Sequence, residues 1–405
     1  MPMPDQKKKE NSFLWKVWVQ KLDRKLIMTK LQENVLTSVK ENDEIVELHI
    51  SNTEDKYRLG NIYIGKVKKI VSNIQAAFIE IDKGVECYYD MTEHGNKPLR
   101  VGEELIVQIS KEAIKTKQPA VTRKISFTGK YCVLTVGDNR ISFSSKIDKE
   151  KREELRQFME PYHSEKYGFI LRTNAKGAAV CDIAEEINRL IEEYEYIFRI
   201  APTRVCFSCL KENEKPYIAD LKNIYQEGLT DIVIEDKEIY NHVYSFLQRE
   251  QPEDLDKLRL YEDKQLPLAK LYSIETVLQN ALKERVWLKS GAYLVIQPTE
   301  ALTVIDVNTG KCIGKKRDEV AYLKINIEAA KEVARQIRLR NLSAIILVDF
   351  INLDDKEKWE ELLNYLKIHL RKDPIQTVLV DVTKLQLVEI TRKKVRKPLH
   401  ENIRG

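Results

Sequence analysis

No run of apolar residues in this sequence reaches the roughly 18 that a membrane-crossing helix requires, and no secretory signal leads into a cleavage site. Membrane insertion is therefore not expected, and a cytoplasmic protein is. Cysteine is also sparse. The six cysteines (87, 132, 181, 206, 209 and 312) are scattered, and only Cys206-Phe207-Ser208-Cys209 has motif spacing. Without a second pair or nearby histidines, that motif reads as ordinary reduced thiols, neither a zinc site nor a thioredoxin-like redox pair. Charge is not one-sided either. A net +5 over 405 residues is too small to establish nucleic-acid binding, so the placement of charge must carry that question. What is present is 43% hydrophobic and 32% charged residues, the composition of a soluble globular protein, in a chain long enough for several domains.

The most informative stretch is 301–355. Ala301-Leu302-Thr303-Val304-Ile305-Asp306-Val307-Asn308 is an apolar, β-branched run ending in acid, Val, Asn, and Ala344-Ile345-Ile346-Leu347-Val348-Asp349-Phe350 is a second run that also ends in acid. Such runs suit strands buried on both faces of a parallel sheet. Between them Val320, Leu323, Ile327, Ala330, Ala334 and Ile337 recur at helical spacing. Strand, helix, strand is a βαβ unit, which brings Asp306 and Asp349 together at the carboxyl edge where open α/β sheets bind ligands. With a strand period of two, Asn308 points the same way as Asp306. Two carboxylates and an amide oxygen form a hard oxygen site suited to Mg²⁺ or Mn²⁺. The alternative is that these acids cap the helices that follow.

Earlier in the chain, residues 1–22 form an extension whose Lys7-Lys8-Lys9, Phe13, Trp15, Val17 and Trp18 read either as a basic amphipathic stretch or as a loose leader. Residues 41–125 show short alternating strands, turn glycines and aromatics, the pattern of a small OB-type barrel that binds single-stranded nucleic acid. Phe78 and Tyr88 are candidates either for base stacking or for barrel core. In 126–216, Gly129 to Val133 begins a strand, and another ends in Arg172-Thr173. An arginine beside a hydroxyl can chelate a terminal phosphate, and equally can make a surface salt bridge. Helix 183–198 carries a Glu-rich face that reads as exposed. Residues 217–282 read as α/β. In 283–400, basic residues cluster at Lys311, Lys315, Lys316 and Arg317, at Arg335, Arg338 and Arg340, and from Arg392 to Arg396. Such clusters are expected either to hold a nucleic-acid backbone in part or to be a solvated face.

Gly291-Ala292-Tyr293-Leu294-Val295-Ile296, Thr299 to Asn308, Ala334-Arg335-Gln336-Ile337-Arg338-Leu339-Arg340 and Val348-Asp349-Phe350-Ile351 together resemble the ribonuclease E/G family, a likeness that runs over about residues 24–397. The resemblance implies an α/β multidomain fold. An RNase H-like scaffold (24–40 and 217–282) would carry two insertions, an OB-fold RNA-binding domain (41–125) and a 5′-monophosphate sensor domain (126–216). A DNase I-like catalytic domain (283–400) would follow. The usual acids of a working RNase H are not evident as a set. The resemblance makes Asp306 and Asp349 ligands of Mg²⁺ (Mn²⁺ as the alternative) and Asn308 their support. It makes Phe78, Tyr88, Lys111 and Lys117 the RNA contacts, and Gly129, Val133, Arg172 and Thr173 the 5′-phosphate pocket.

This sequence departs from the family pattern in several places. Tyr88 stands where Phe is usual and keeps a π face. Lys384 replaces an arginine of the sensor and loses its paired donors. Asn352 replaces an acid three residues after Asp349. No Cys-Pro-x-Cys zinc link follows Thr391-Arg392-Lys393, so no zinc-joined oligomer is expected, and a monomer or a dimer through another surface remains. The expected activity is Mg²⁺-dependent cleavage of single-stranded RNA, messenger or precursor ribosomal, to 5′-phosphate and 3′-hydroxyl ends. The rival is a non-catalytic RNA-binding or ribosome-associated factor on the same fold. A DNase or phosphatase using the same acids is a third reading.

Overall fold

The computed structural model describes residues 22–52, 56–94, 99–111, 118–224, 227–310 and 318–403. Strands β1 (Arg24–Leu31), β2 (Asn34–Glu41) and β3 (Glu44–Asn52) form an antiparallel meander. Asn42 takes φ 52° in the second turn, a conformation asparagine tolerates. This corrects the barrel boundary expected at 41. The turn at 42–43 folds the chain straight back, and β3 pairs with β2 from Asn34↔Asn52 to Glu41↔Glu44.

The barrel begins with β4 (Ile62–Val71), followed by β5 (Ala76–Asp82), β6 (Val85–Asp90), β7 (Glu104–Lys111) and β8 (Ala120–Thr122). The order β4-β5-β6-β8-β7 is closed by β4 pairing with β7, an OB-like arrangement around Tyr63, Val67, Ile79, Ile81, Tyr89 and Val107. The next unit contains β9 (Ser126–Thr128), β10 (Cys132–Val136), β11 (Ile141–Phe143), α1 (Lys149–Met159), β12 (Tyr167–Leu171) and α2 (Val180–Ile200), with sheet order β11-β12-β10-β9. β13 (Cys209–Lys211) leaves this unit and pairs with β4 of the barrel. Cys206-Phe207-Ser208-Cys209 lies in that seam, where Phe207 donates to the Ile64 carbonyl at 2.8 Å.

The chain then returns to the meander through α3 (Pro216–Asn223), β14 (Leu229–Ile234), α4 (Lys237–Glu250), β15 (Leu258–Leu260), α5 (Leu268–Leu271) and α6 (Ile274–Ala281). β14 lies parallel to β1 and β15 parallel to β14, giving the order β15-β14-β1-β2-β3. Strands that flank residues 62–211 in the chain are thereby paired in one sheet.

The last unit has β16 (Arg285–Trp287), β17 (Tyr293–Pro298), β18 (Leu302–Asn308), α7 (Glu319–Leu339), β19 (Ala344–Asp349), α8 (Lys356–Leu370), β20 (Thr377–Val382), β21 (Val388–Arg392) and a short α9 (Leu399–Ile403). Its sheet order is β16-β17-β18-β19-β21-β20, and β18-α7-β19 is the expected parallel βαβ unit. The strands are not covered on both faces, however. Ile305, Val307, Ile346 and Val348 pack beneath α7 and α8, while the alternate residues Val304, Asp306, Leu347 and Asp349 lie on a half-open face. The helix stripe also differs from expectation. Val320 is 53% exposed, and Ile325, Ala329, Ala330, Val333, Ala334 and Ile337 face the core. Both helices sit on one side of the sheet, so the apolar runs in β18 and β19 exceed what burial uses. Among the described residues, no helix is long and apolar enough to cross a membrane.

Candidate active site and RNA-facing surfaces

Asp306 and Asp349 are direct register partners at the ends of β18 and β19, which sets their backbones about 4.8 Å apart. Neither acid caps the helix that follows it. Asp318 accepts from Val320 and Ala321 at the start of α7, and Asp355 accepts from Glu357 at the start of α8. Asn308 donates from Nδ2 to Oδ2 of Asp306 at 2.6 Å, which fixes one oxygen of that carboxylate. Burial, and then the negative charge of Asp306, push the Asp349 carboxyl above its ordinary range. A divalent cation held by the two acids would relieve that repulsion. Among the described residues, no group of three or more His, Cys, Asp and Glu surrounds the pair. Two carboxylates, with water and substrate phosphate completing the shell, match the habit of Mg²⁺, so the residues present fit such an ion.

Asn326 holds the chain beyond Asp349. Fully buried in α7, it donates to the Ile351 carbonyl at 2.7 Å and accepts from the Ile351 amide at 3.1 Å. The one signal for it in the sequence was an amide set between Ile325 and Ile327. Asn352, where the family has an acid, is exposed in the loop after β19.

The basic clusters require a correction. Arg338 is 5% exposed. Its Nη2 lies 2.9 Å from Glu41 Oε1 and 2.6 Å from Glu47 Oε1, which ties α7 to β2 and β3. Arg340 is buried and donates to Gln336 at 2.6 Å. Arg335 donates to Glu332 and to the Ile45 carbonyl. Arg392 is buried against Asp373, 2.7 Å away, and bonds Asn341. Arg335 and Arg338 join the last unit to the meander, Arg340 and Arg392 bond within the last unit, and the four do not form a phosphate-facing surface. Lys311, Lys315, Lys316 and Arg317 lie outside the described residues.

On the barrel, Phe78 and Tyr88 are cross-strand partners, edge-to-face with centroids 6.4 Å apart, and Tyr88 is 37% exposed. Tyr89, pointing the other way, fills the core. Register continues the outer row in both directions. Lys69 pairs with Phe78, and Ala120 stands between Tyr88 and Lys111. Two exposed cations therefore flank two aromatic faces, the combination that grips a single strand. The sequence reading missed Lys69, because strict alternation from the buried Val67 turns it inward, and only the β-bulge between the two brings it to the outer row. Lys117 lies outside the described residues, as does residues 1–21 of the N-terminal extension.

In the 126–212 unit, Arg172 donates to the Gly129 carbonyl at 2.6 Å, to the Lys222 carbonyl at 3.2 Å and to Asn223 Oδ1 at 2.6 Å. Thr173 shares a hydrogen bond with Ser144 at 2.9 Å. Val133 is half-buried in β10, opposite Ile170. Lys384 is exposed in the turn between β20 and β21. Glu186 is the residue the sequence concealed. It belongs to the helix whose glutamates read as exposed, yet it is buried, and its carboxylate accepts from the amides of Lys130, Tyr131 and Cys132 at 2.6–2.8 Å. Gly129 is required beside it, since a Cβ there would stand 2.3 Å from that carboxylate.

An acid pair on the open edge of an α/β sheet and a barrel with an aromatic and cationic outer row define the class: a multidomain α/β protein with an OB-like barrel. The comparisons with known proteins narrow this. The model described as the Ribonuclease E/G family matches residues 126–395. The chain is 31% identical over 398 residues to Ribonuclease G of Haemophilus influenzae, covering 92% of this chain and 80% of the relative. It is 30% identical over 385 residues to Ribonuclease G of Escherichia coli strain K12, covering 87% and 76%. It is also 30% identical over 389 residues to Ribonuclease E of a Nostoc species, covering 91% and 56%. This chain belongs to the ribonuclease E/G family.

Proposed function

We propose that the protein is an endoribonuclease of RNA processing and decay, acting on single-stranded messenger and precursor ribosomal RNA in the cytoplasm. It leaves 5′-phosphate and 3′-hydroxyl ends. The observation that carries this reading is the pairing of Asp306 with Asp349 on an open sheet face, with Asn308 turned onto Asp306. Asp306 and Asp349 would hold Mg²⁺, which when bound lowers the pKa of a water and offsets charge on the phosphate. Asn308 keeps Asp306 aimed, and Asn326 keeps the end of β19 in place. The barrel row of Lys69, Phe78, Tyr88 and Lys111 supplies grip and orientation, with the scissile phosphate carried to the acids by the positioned strand.

The same reading takes β15-β14-β1-β2-β3 as an RNase H-like scaffold and the last unit as a DNase I-like domain. It takes Gly129, Val133, Arg172, Thr173 and Lys384 as a 5′-monophosphate pocket. A terminal phosphate there would exchange with the internal acceptors of Arg172, and an RNA end so held raises the local concentration of internal sites.

The test is a labelled single-stranded RNA incubated with and without Mg²⁺, for the native protein and Asp306→Asn. Cleavage should require both the ion and Asp306. Products ending in 2′,3′-cyclic phosphate would reject water as the nucleophile, and binding without cleavage would favour the RNA-binding factor. For the pocket, 5′-monophosphorylated RNA should be cut faster than 5′-hydroxyl RNA, and Arg172→Ala should abolish the difference. Equal rates with the native protein would remove the sensor.

A further inference from the structure

The open face that carries the acids extends across β17 to β16. Register sets Tyr293 between Asn308 on β18 and Trp287 on β16, and sets Val295 between Asp306 and Arg285. Paired residues point to one side of a sheet, so Trp287, Tyr293 and Arg285 share the surface of Asn308 and Asp306. Val286 and Leu294, between them, pack into the core below. Trp287 is 63% exposed on this edge strand. Its ring lies 5.0 Å from that of Tyr293, tilted by 56°. The Arg285 guanidinium sits 4.4 Å from the Tyr293 centroid and 5.8 Å from that of Trp287.

The hairpin is set rigidly. Glu328 accepts from the amides of Lys289 and Ser290, Leu288 donates to the Ala292 carbonyl at 2.8 Å, and Gly310 leaves no room for a Cβ against the Gly291 carbonyl. An indole this exposed contributes little to folding. With a phenol and a guanidinium beside it, it offers a π surface for a flat ring and a cation for the phosphate attached to it. At a strand spacing of about 4.8 Å, Tyr293 lies one strand and Trp287 two strands from Asn308.

We propose that Trp287, Tyr293 and Arg285 form a stacking platform for an unpaired nucleobase flanking the phosphate that a cation on Asp306 and Asp349 would engage. This rests on the endoribonuclease reading and adds a position on the substrate that the barrel does not contact. The platform reads no base identity, because every base has a π face. It sets the direction in which the strand leaves the acids.

The experiment is a scan of abasic residues through a single-stranded RNA around its cut, using the full chain. Native protein, Trp287→Ala and Trp287→Phe are compared by kcat/KM, and the same RNAs are titrated against Asp306→Asn with and without Trp287→Ala. One flanking position should cost the native protein between about 5- and 150-fold when abasic, the range for one base–aromatic stack. Trp287→Ala should lose a similar factor on intact RNA and become indifferent to that abasic position, while Trp287→Phe keeps both properties. A flat scan with native protein, or a Trp287→Ala loss that adds equally at every position, overturns the platform. Unchanged kcat/KM in Trp287→Ala also overturns it and leaves a protein-docking face. If native protein cuts no RNA, the endoribonuclease reading fails, and the titrations still decide whether the base stacks.

Discussion

Replacing Arg338 separates a buried joint from an RNA-binding surface. Its guanidinium lies between Glu41 and Glu47 at 2.9 and 2.6 Å, in a site where Arg338 is 5% exposed. Removing one partner of a buried pair costs about 3–5 kcal/mol, because the remaining charge keeps its desolvation penalty. Arg24 still holds Glu41 at 2.8 Å, so Glu47 bears most of the loss, and Arg338→Met should cost about 3 kcal/mol. Adding Glu47→Gln should restore much of it. Burial works to raise the Glu41 carboxyl, yet Arg338 and Arg24 outweigh burial and hold it below its ordinary range. The stability it lends is present above the unfolded pKa of about 4.3 and lost as pH falls through the folded value. Urea denaturation at neutral pH, read by tryptophan emission, measures the effect. RNA affinity against salt supplies the contrast, since a lost phosphate contact lowers the salt slope by about 0.7 for a single strand. An unchanged urea midpoint with a slope reduced by that amount would refute the buried joint and restore Arg338 to the RNA surface.

Gly129→Ala should lower stability by about 1–3 kcal/mol, since the added methyl drives Glu186 off the amides of residues 130–132; an unshifted melting temperature would count against this. Tyr88→Ala should weaken single-stranded RNA binding by about 1–3 kcal/mol with little change in melting. Tyr89→Ala, one residue along and fully buried, should destabilise the barrel; fluorescence anisotropy and thermal melts distinguish the two. Burial, helped by Lys372 and Lys331, pulls the His369 imidazole down to about 4. The unfolded chain therefore takes up the proton first, and the stability His369 gives above the unfolded value of about 6.5 should be lost as pH falls toward 4. Melting temperatures across that window should decline less steeply in His369→Phe.

The acid pair was legible because everything that brings Asp306 to Asp349 is local: two apolar runs, one helical spacing between them, and the parallel pairing that such a length enforces. Asn308 followed from strand alternation alone. The open face was not legible, because Val304, Leu347 and Ile345 are as apolar as their buried neighbours, and only the placement of α7 and α8 decides which set is covered. The arginines misled for a related reason. Arg338 has the composition of an RNA-binding residue, and its acceptor on Glu47 stands 291 residues away. Glu186 likewise looked like one more exposed glutamate until the turn at residues 130–132 folded over it. β3 was drawn into the barrel because alternating strands look alike on either side of a domain boundary, and the turn at Asn42 is the sole local marker.

The way the first sheet is interrupted bears on how the chain folds during synthesis. Arg24 donates to the Glu227 carbonyl, 203 residues later, and β1 finds its parallel neighbour only when β14 has been made. The barrel and the 126–212 unit emerge complete before then and can close on their own contacts, as units do on the ribosome. β1, β2 and β3 must wait meanwhile as a three-strand meander whose β1 edge is not yet covered. An edge in that state is a template for pairing with another strand, so the stretch of chain between β1 and β14 is a window in which mispairing competes with the native sheet.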